Sequence, residues 1–416
     1  MQQKIAHVWA REILDSRGNP TVEVELTIGE HIASASVPSG ASTGQHEAHE
    51  LRDNDPARYD GLGVLQAVAH VNEDISKEII GQALDQNKLD NLLIKLDGTP
   101  DKHRLGANAI LAVSMAFARA MALAQNQELY AYLGELVQTT HFTLPQPLIN
   151  IINGGKHADS GLDIQEFMLI PKDFVLFRDK IRVGSEIFHT LKDILHKENY
   201  AVGVGDEGGF APHLESNEQA LDLMVRAISE AGYTTDQVRI GLDAAASSFY
   251  KDGAYHLNAA KPPQKLTADE LLAWYQKLNH AYPLNILEDG FAEDDWAGFQ
   301  SLNTQLGKQL LIVGDDLTVT NTKRIELAIQ KQAINAVLIK LNQIGTVTET
   351  LAAINLTKQA GWQPIISHRS GETTDTFIAD LAVGTAAPYL KSGSMSRGER
   401  IAKYDRLLVI EDKISG

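Results

Sequence analysis

The chain of 416 residues contains no cysteine. This absence excludes disulfide bonds, thiolate metal ligands and a cysteine nucleophile. Positive charge is also scarce, because 37 Lys and Arg residues stand against 54 Asp and Glu residues and leave a net charge of −17. So acidic a composition argues against a nucleic acid or an anionic membrane as the main partner. Anions can still bind where basic side chains converge locally.

Long apolar runs are lacking as well. Residues 1–20 contain no run of the length that a signal peptide needs, and no stretch approaches the ~18 apolar residues of a membrane span. We therefore expect no membrane span and a cytoplasmic location, with display at the cell surface left open as a second location. Apolar residues still make up 44% of the chain, which suffices for a buried core, and the length favours two domains of unequal size.

Residues 1–137 have the pattern of a small α+β domain. Residues 21–28 alternate apolar and polar side chains, as a half-buried strand does, and a second strand follows the turn at Gly29. Helical patterns fill most of residues 47–137. We predict that this N-terminal α+β domain covers the mouth of a second domain formed by residues 138–416.

The second domain repeats a short apolar run followed by a helical pattern. Near-continuous apolar runs separated by helices are typical of parallel strands that are covered on both faces. Eight such units close into a β/α barrel, whose usual size is ~250 residues. The length and the rhythm of residues 138–416 therefore predict an eight-fold β/α barrel.

Charged and polar residues stand at the ends of six successive apolar runs. The carboxyl ends of all barrel strands face one mouth, so residues that are far apart in the chain are expected to converge there. Any one of them alone is equally compatible with an ordinary solvated strand end, but six in register are much harder to explain in that way. They are Asp243, Glu288, Asp315, Lys340, His368 and Lys391.

Three of these residues predict a metal site. Carboxylates brought together repel one another unless a cation holds them. Oxygen ligands without thiolates favour Mg²⁺ or Mn²⁺ over zinc. The alternative is a set of salt-bridged acids at the barrel rim. The three residues are Asp243, Glu288 and Asp315.

Lys340 lies inside the apolar run at residues 336–341. Such a lysine either forms an ion pair in the barrel or acts as a general base, and a base needs its pKa lowered by burial beside other cations. A metal ion and Lys391 are the expected cations. The ion-pair alternative stays open, because the same carboxylates can pair with Lys340 when no metal is bound.

Three further segments supply candidates. Residues 367–371 contain Arg369, which suits bidentate phosphate recognition, although capping or packing is the alternative. Glu166 follows a glycine-containing segment, and Glu207 lies directly beside glycines. We interpret the two as paired carboxylates in which one raises the pKa of the other for general acid catalysis. His157 is a candidate lid residue, although an isolated loop histidine is usually incidental.

Two motifs do not carry the chemistry that they resemble. Residues 40–44 match the nucleophile elbow G-x-S-x-G, but they follow an alternating hairpin strand instead of a buried parallel strand. A Gly-hinged lid around Ser42 is the better interpretation. Residues 46–50 resemble a zinc-protease motif but lack its second histidine.

Segments along essentially the whole chain resemble the enolase family, in the family's order. They include DSRGNPTVEVE, VPSGASTG, LGANAIL, NGGKHA, QEFM, GDEGG, EDGFAEDDW, DDLTVTN, LNQIGT and SHRSGETTDTFIADLAVG. The set is highly specific, and no single motif carries it. The chain departs from the common family pattern at Ser248, where Glu is usual, and at Gly290, where Pro is frequent.

The resemblance implies a glycolytic lyase that reversibly dehydrates 2-phosphoglycerate, a small phosphorylated three-carbon acid, to phosphoenolpyruvate with two Mg²⁺ ions. It implies that Asp243, Glu288 and Asp315 bind the first ion and that the Ser42 loop helps to bind the second. It further implies a homodimer or an octamer of dimers. Two alternatives remain, namely another acid dehydratase of the superfamily and a non-catalytic protein that reuses the fold.

The resemblance also implies a role for each remaining candidate. Lys340 would remove the C2 proton, and Glu207, supported by Glu166, would protonate the departing C3 hydroxyl. Arg369 and Ser370 would hold the phosphate. The substrate contacts implied in this way are His157, Glu166, Glu288, Asp315, Lys340, His368, Arg369, Ser370 and Lys391.

Overall fold

The N-terminal part begins with a three-stranded antiparallel sheet. The structure, a computed structural model, describes residues 4–40, 44–158 and 160–415. The strands β1 (Ile5–Leu14), β2 (Pro20–Ile28) and β3 (His31–Ser36) pair in chain order. Every second side chain of β2, from Val22 to Ile28, is fully buried. The alternation in the sequence therefore predicted β2 and β3, but it did not reveal β1.

Helices cover one face of this sheet. They are α1 (Leu65–Ala69), which continues through a π-helical turn (His70–Ile75) into α2 (Ser76–Ile79), followed by α3 (Gln86–Asp97), α4 (Ala107–Ala124) and α5 (Leu129–Leu136). The side chain of Asp85 caps the start of α3 by accepting from the Lys88 N–H, and Gly98 ends it in a left-handed conformation. The predicted domain boundary after residue 137 lies directly behind α5.

Helix α4 packs against β2 and β3. In the part of the chain that the structure describes, it is the one helix long and apolar enough to cross a membrane, and 78% of it is buried inside the protein. The expectation that no stretch approaches this length was therefore wrong. Burial of this extent is typical of the core helix of a folded domain.

Eight strands close into a barrel. The barrel strands are β4 (Gln146–Asn153), β5 (Glu166–Pro171), β6 (Val238–Asp243), β10 (Leu284–Glu288), β11 (Leu311–Gly314), β12 (Ala336–Ile339), β13 (Gln363–Ser367) and β14 (Tyr389–Lys391). Between β6 and β10 the chain forms a small separate sheet of β7 (Tyr250–Lys251), β8 (Ala254–Leu257) and β9 (Gln264–Leu266). Each of the eight apolar runs in the sequence forms one barrel strand. The predicted barrel is confirmed.

The sequence rhythm predicted an entirely parallel barrel, but one strand of the barrel is antiparallel to its neighbours. Strand β5 runs antiparallel to both β4 and β6. A parallel connection needs a crossover of a dozen or more residues, usually with a helix. Among the described residues of the Gly-rich link between β4 and β5, the only helical element is the short turn Gly155–His157, so the chain reverses there.

Helices surround the barrel strands. They are α6 (Phe177–Lys197), α7 (Asn217–Glu230), α8 (Ala268–Ala281), α9 (Trp296–Leu306), α10 (Thr322–Lys331), α11 (Leu341–Ile344), α12 (Val347–Gln359), α13 (Phe377–Gly384) and α14 (Gly398–Ser415). The N-terminal part packs against this layer, with α4 on α11 and α12 and α5 on α13. The two parts therefore share a packed seam.

A bidentate ion pair crosses this seam. Arg119 on α4 donates to both carboxylate oxygens of Asp375, at 2.6 and 2.7 Å, and its Nη1 also donates to the Ser34 carbonyl. Asp375 additionally accepts from the backbone N–H groups of Ser36 and Phe377. Burial acts to raise the pKa of Asp375, but Arg119 outweighs it and keeps that pKa below its usual value.

We expect the change Arg119→Met to lower the free energy of unfolding by about 3 kcal/mol, because it leaves the Asp375 charge buried without its partner. Urea denaturation followed by circular dichroism measures the effect. The double variant Arg119→Met/Asp375→Asn is expected to recover part of the loss, since it removes the stranded charge. A loss below about 1 kcal/mol in the single variant would show that the pair contributes little to the seam.

Candidate active site

The carboxyl ends of the barrel strands surround a cleft. Its lining includes ten residues that the sequence singled out, namely His157, Glu166, Glu207, Asp243, Asp315, Lys340, His368, Arg369, Ser370 and Lys391. Glu288 lies behind this lining, in contact with Lys391. Ser42 lies outside the described residues.

Strand register explains why these side chains meet. Glu288 at the end of β10 pairs with Asp243 at the end of β6, and Asp243 pairs in turn with Glu166 at the start of the antiparallel β5. On the other side, Lys391 pairs with Ser367 at the ends of β14 and β13. One rim of the barrel therefore gathers acidic and basic side chains from distant parts of the chain.

Lys391 lies at the centre of the acidic residues. Its Nζ is 2.9 Å from both carboxylate oxygens of Glu288 and 3.1 Å from Asp243 Oδ2 and from Glu166 Oε2. Burial acts to lower the pKa of Lys391, but the surrounding carboxylates, Asp243 first among them, raise it well above its usual value. Lys391 is therefore a fixed positive charge in the floor of the cleft.

Lys340 makes direct contact with Asp315, whose other oxygen accepts from Gln343 Nε2 at 2.9 Å. Burial acts to lower the pKa of Lys340, but the Asp315 carboxylate outweighs it and raises that pKa. The sequence hypothesis placed a metal ion beside Lys340, so the role of Lys340 as a general base stays a prediction. The structure shows the ion pair that the sequence had left as the alternative.

Among the described residues, two sets of metal-ligating groups have ligand atoms within 4.8 Å of one another, namely His157 with Glu166 and Glu207, and Asp289 with Asp315 and Asp316. Of the predicted trio, only Asp315 belongs to such a set, because Lys391 lies between Asp243 and Glu288 and pairs with both.

The donor atoms of the predicted trio nevertheless suit a hard divalent cation. All are carboxylate oxygens, which Mg²⁺ prefers over nitrogen or sulfur ligands. Burial and the nearby Asp243 carboxylate raise the pKa of Glu288 well above its usual value. A cation relieves this repulsion, so the residues fit the divalent metal.

Glu166, Glu207 and His157 form the opposite wall. His157 Nδ1 lies 3.7 Å from Glu166 Oε1 and 3.6 Å from Glu207 Oε1. Burial, followed by the Glu207 charge, raises the pKa of Glu166 well above its usual value. Burial also acts to raise the pKa of Glu207, but the basic side chains around it, led by His368, outweigh burial and lower it. Of the two carboxylates, Glu166 therefore holds a proton more readily than Glu207 in the free protein.

The N-terminal part contributes to the site through Glu47. This carboxylate accepts hydrogen bonds from Arg369 Nη1 at 2.9 Å and from Arg369 Nη2 at 3.2 Å. Arg369, the predicted phosphate-binding residue, is therefore paired with a residue of the other part of the chain. Backbone hydrogen bonds in both directions join Ser39 to Gly371 beside it. The segment that leads into the Ser42 loop is thereby anchored to the strand end that carries Arg369.

Several residues of the site escaped the sequence reasoning. Asp289 and Asp316 directly follow two predicted metal ligands, so the paired acids in EDG and GDD were an available signal. Asn150 donates to Glu207 Oε2 at 3.0 Å, and neither it nor Glu47 had any pattern that pointed to the cleft. The cleft lining also includes Lys156, Gln165, Ala245, Ser247, Ser248 and Ser367.

Comparison with protein-family models gives two matches that together span nearly the whole chain. Residues 5–133 match the enolase N-terminal domain, and residues 141–416 match the enolase C-terminal TIM barrel domain. Such matches indicate a lyase-type enzyme of the enolase superfamily, imply use of a divalent metal and suggest a small phosphorylated acid as substrate. With the closed eight-stranded barrel and the separate small sheet, they show that the chain belongs to the enolase family.

Proposed function

We propose that the protein reversibly dehydrates 2-phosphoglycerate to phosphoenolpyruvate with Mg²⁺, as a glycolytic enolase. The observation that supports this most is the position of the candidate base and acid. In the closed barrel, β12, which precedes Lys340, lies four strands from β5, which begins at Glu166. Lys340 and the Glu166–Glu207 pair therefore face each other across the cleft, as removal of a proton and a hydroxyl from opposite faces of one substrate requires.

The proposed reaction breaks two bonds in the substrate. Lys340 Nζ takes the proton from C2, and the electron pair of that bond forms the C2–C3 double bond. The C3–O bond breaks, and the departing oxygen receives a proton from Glu207, which shares it with Glu166. The atoms balance as one proton gained by Lys340 in its neutral form, one proton lost from the Glu166–Glu207 pair, one water and the enol product.

The charged groups of the cleft favour this reaction over proton loss in water. A proton beside a carboxylate is weakly acidic, because its removal adds charge to an existing anion. Bound Mg²⁺ supplies Lewis-acid stabilisation of that charge. Lys391 provides a buried positive charge at the same rim, where a low dielectric strengthens its effect. Arg369 would bind the substrate phosphate and Glu47 alternately, since both are bidentate partners for a guanidinium.

The test measures the ultraviolet absorbance of the enol product from 2-phosphoglycerate with and without Mg²⁺. We expect a Mg²⁺-dependent signal, and no signal from glycerate, which lacks the phosphate for Arg369. A folded protein that gives no Mg²⁺-dependent signal contradicts the proposal. A signal from unphosphorylated acids alone would indicate another acid dehydratase of the superfamily.

Mg²⁺ is also expected to stabilise the fold. At 100 times its Kd, it should raise the free energy of unfolding of chelator-treated protein by about 2.7 kcal/mol, because it binds the folded chain alone. Urea denaturation measures the gain. Glu288→Gln should lose most of it, and the exposed Glu326→Gln on α10 should retain it. Equal gains in both variants would contradict the assignment of Glu288 as a ligand.

The proposal includes a cytoplasmic location and a homodimer, or an octamer built from dimers. Both are what a glycolytic enzyme of this family would require. Sedimentation velocity of the purified protein distinguishes the monomer, the dimer and the octamer.

A further inference from the structure

Arg400 is fully buried at the start of α14, directly behind the cleft. Its Nη1 donates to His368 Nδ1 at 2.7 Å and to the Arg369 carbonyl at 2.6 Å. Its Nη2 donates to the carbonyls of Asp206 and Ser370 at 2.9 and 2.6 Å. One guanidinium therefore joins the loop before Glu207 to the strand-end segment that carries His368.

The contact with His368 fixes the position of the histidine proton. A guanidinium has only N–H donors, so Nδ1 must accept and cannot carry hydrogen. A neutral imidazole with a free lone pair on Nδ1 carries its proton on Nε2. Nε2 lies 3.5 Å from Glu207 Oε1, and its N–H therefore faces that carboxylate.

The other two forms of His368 are disfavoured by the same neighbours. The opposite tautomer would place an N–H against the N–H of Arg400 and a lone pair against Glu207. The imidazolium would also carry an N–H toward Arg400. Burial lowers the pKa of His368 well below its usual value, which agrees with a neutral ring.

We propose that Arg400 is a positioning residue, which holds His368 as the neutral Nε2–H tautomer and directs that N–H toward Glu207. The link to catalysis rests on the proposed function, in which Glu207 gives its proton to the departing oxygen. A donor at this point stabilises the carboxylate that remains after the transfer. Removing Arg400 then affects the dehydration step through His368, without any contact of Arg400 with the substrate.

Lys403 provides a matched control on the same helix. It is also fully buried, and its Nζ contacts Glu372 Oε2 at 2.8 Å and the carbonyls of Thr373 and Glu399. It does not line the cleft. Loss of either buried cation should destabilise this helix, but only loss of Arg400 should change the tautomer of His368.

The experiment records two-bond ¹H–¹⁵N correlations of ¹⁵N-imidazole-labelled histidine in the substrate-free protein, with His368 assigned from a His368→Asn variant. We expect the Nε2–H pattern in the parent and in Lys403→Met. In Arg400→Met, and in Arg400→Gln should the first variant not fold, we expect a mixture of tautomers or a protonated ring, because an amide can both donate and accept and does not impose one tautomer. A parent spectrum with the Nδ1–H pattern, or an unchanged His368 in the Arg400 variants, overturns the proposal.

Kinetics provide a second readout. Arg400→Gln should lower kcat by ~10–100-fold, the usual effect of losing a group that orients a site residue, with little change in KM. An equal loss of kcat in Lys403→Met would indicate a general structural effect and contradict a positioning role. The spectra need no turnover, so an inactive parent protein that retains the Nε2–H pattern would contradict the proposed function alone.

Discussion

Replacing Lys340 by alanine is expected to lower kcat for the dehydration by about 10⁴-fold, the upper range for loss of a general base. Lys340 is half-buried at the barrel rim, beside Asp315 and opposite the Glu166–Glu207 pair. Of the other lysines that line the cleft, Lys391 is engaged by Glu288 and Asp243, and Lys156 lies exposed on the link between β4 and β5. Stopped assays at high enzyme concentration measure the residual rate.

Exchange of the C2 proton with solvent deuterium tests the same role more directly. In Lys340→Ala this exchange should stop together with the dehydration, because the same group removes the proton in both. The control is Lys102, a buried lysine that pairs with Glu349 at 3.0 Å outside the cleft. Lys102→Ala should leave both rates within about twofold, as expected for a residue that contacts neither substrate nor ligand. Persistent C2 exchange in Lys340→Ala would require a different base.

The barrel was predictable because its signal is local. Each apolar run has the length of a buried strand, and helical patterns separate most of the runs. The direction of β5 was not read from the sequence, because an apolar run has the same composition in either direction. The Gly-rich link at residues 154–165 nevertheless held the signal, since it has no pattern for a crossover helix. The insertion of β7–β9 explains the wide spacing between Asp243 and Glu288.

The members of the site were predictable, but their partners were not. Charges at successive strand ends converge in any β/α barrel, so Asp315, Lys340 and Lys391 could be named in advance. Which carboxylate each lysine contacts depends on side-chain geometry, and the raised pKa of Lys340 follows from its contact with Asp315. The pairing of Arg369 with Glu47 joins residues 322 positions apart and depends on how the two parts of the chain pack.

Replacing Glu207 by glutamine is expected to separate the two halves of the reaction. The rate of dehydration should fall by about 10³-fold, because the amide cannot give a proton to the departing C3 oxygen. Exchange of the C2 proton should continue within about tenfold of the parent rate, since Lys340 lies across the barrel from the changed side chain. The amide keeps the size of the side chain and can still accept from Asn150.

Asp206→Asn is the matched control, because it changes the adjacent acid on the same loop. The Asp206 side chain is 42% exposed and is 4.0 Å from Arg397, and it does not line the cleft. Both rates should stay within about twofold of the parent, the usual outcome for a surface substitution. Equal losses of exchange and dehydration in Glu207→Gln would mean that Glu207 acts before the C3–O bond breaks, for example by orienting the substrate. Loss of dehydration alone would place the acid on the β5 side of the cleft and the base on the β12 side, as the barrel order requires of an elimination from opposite faces.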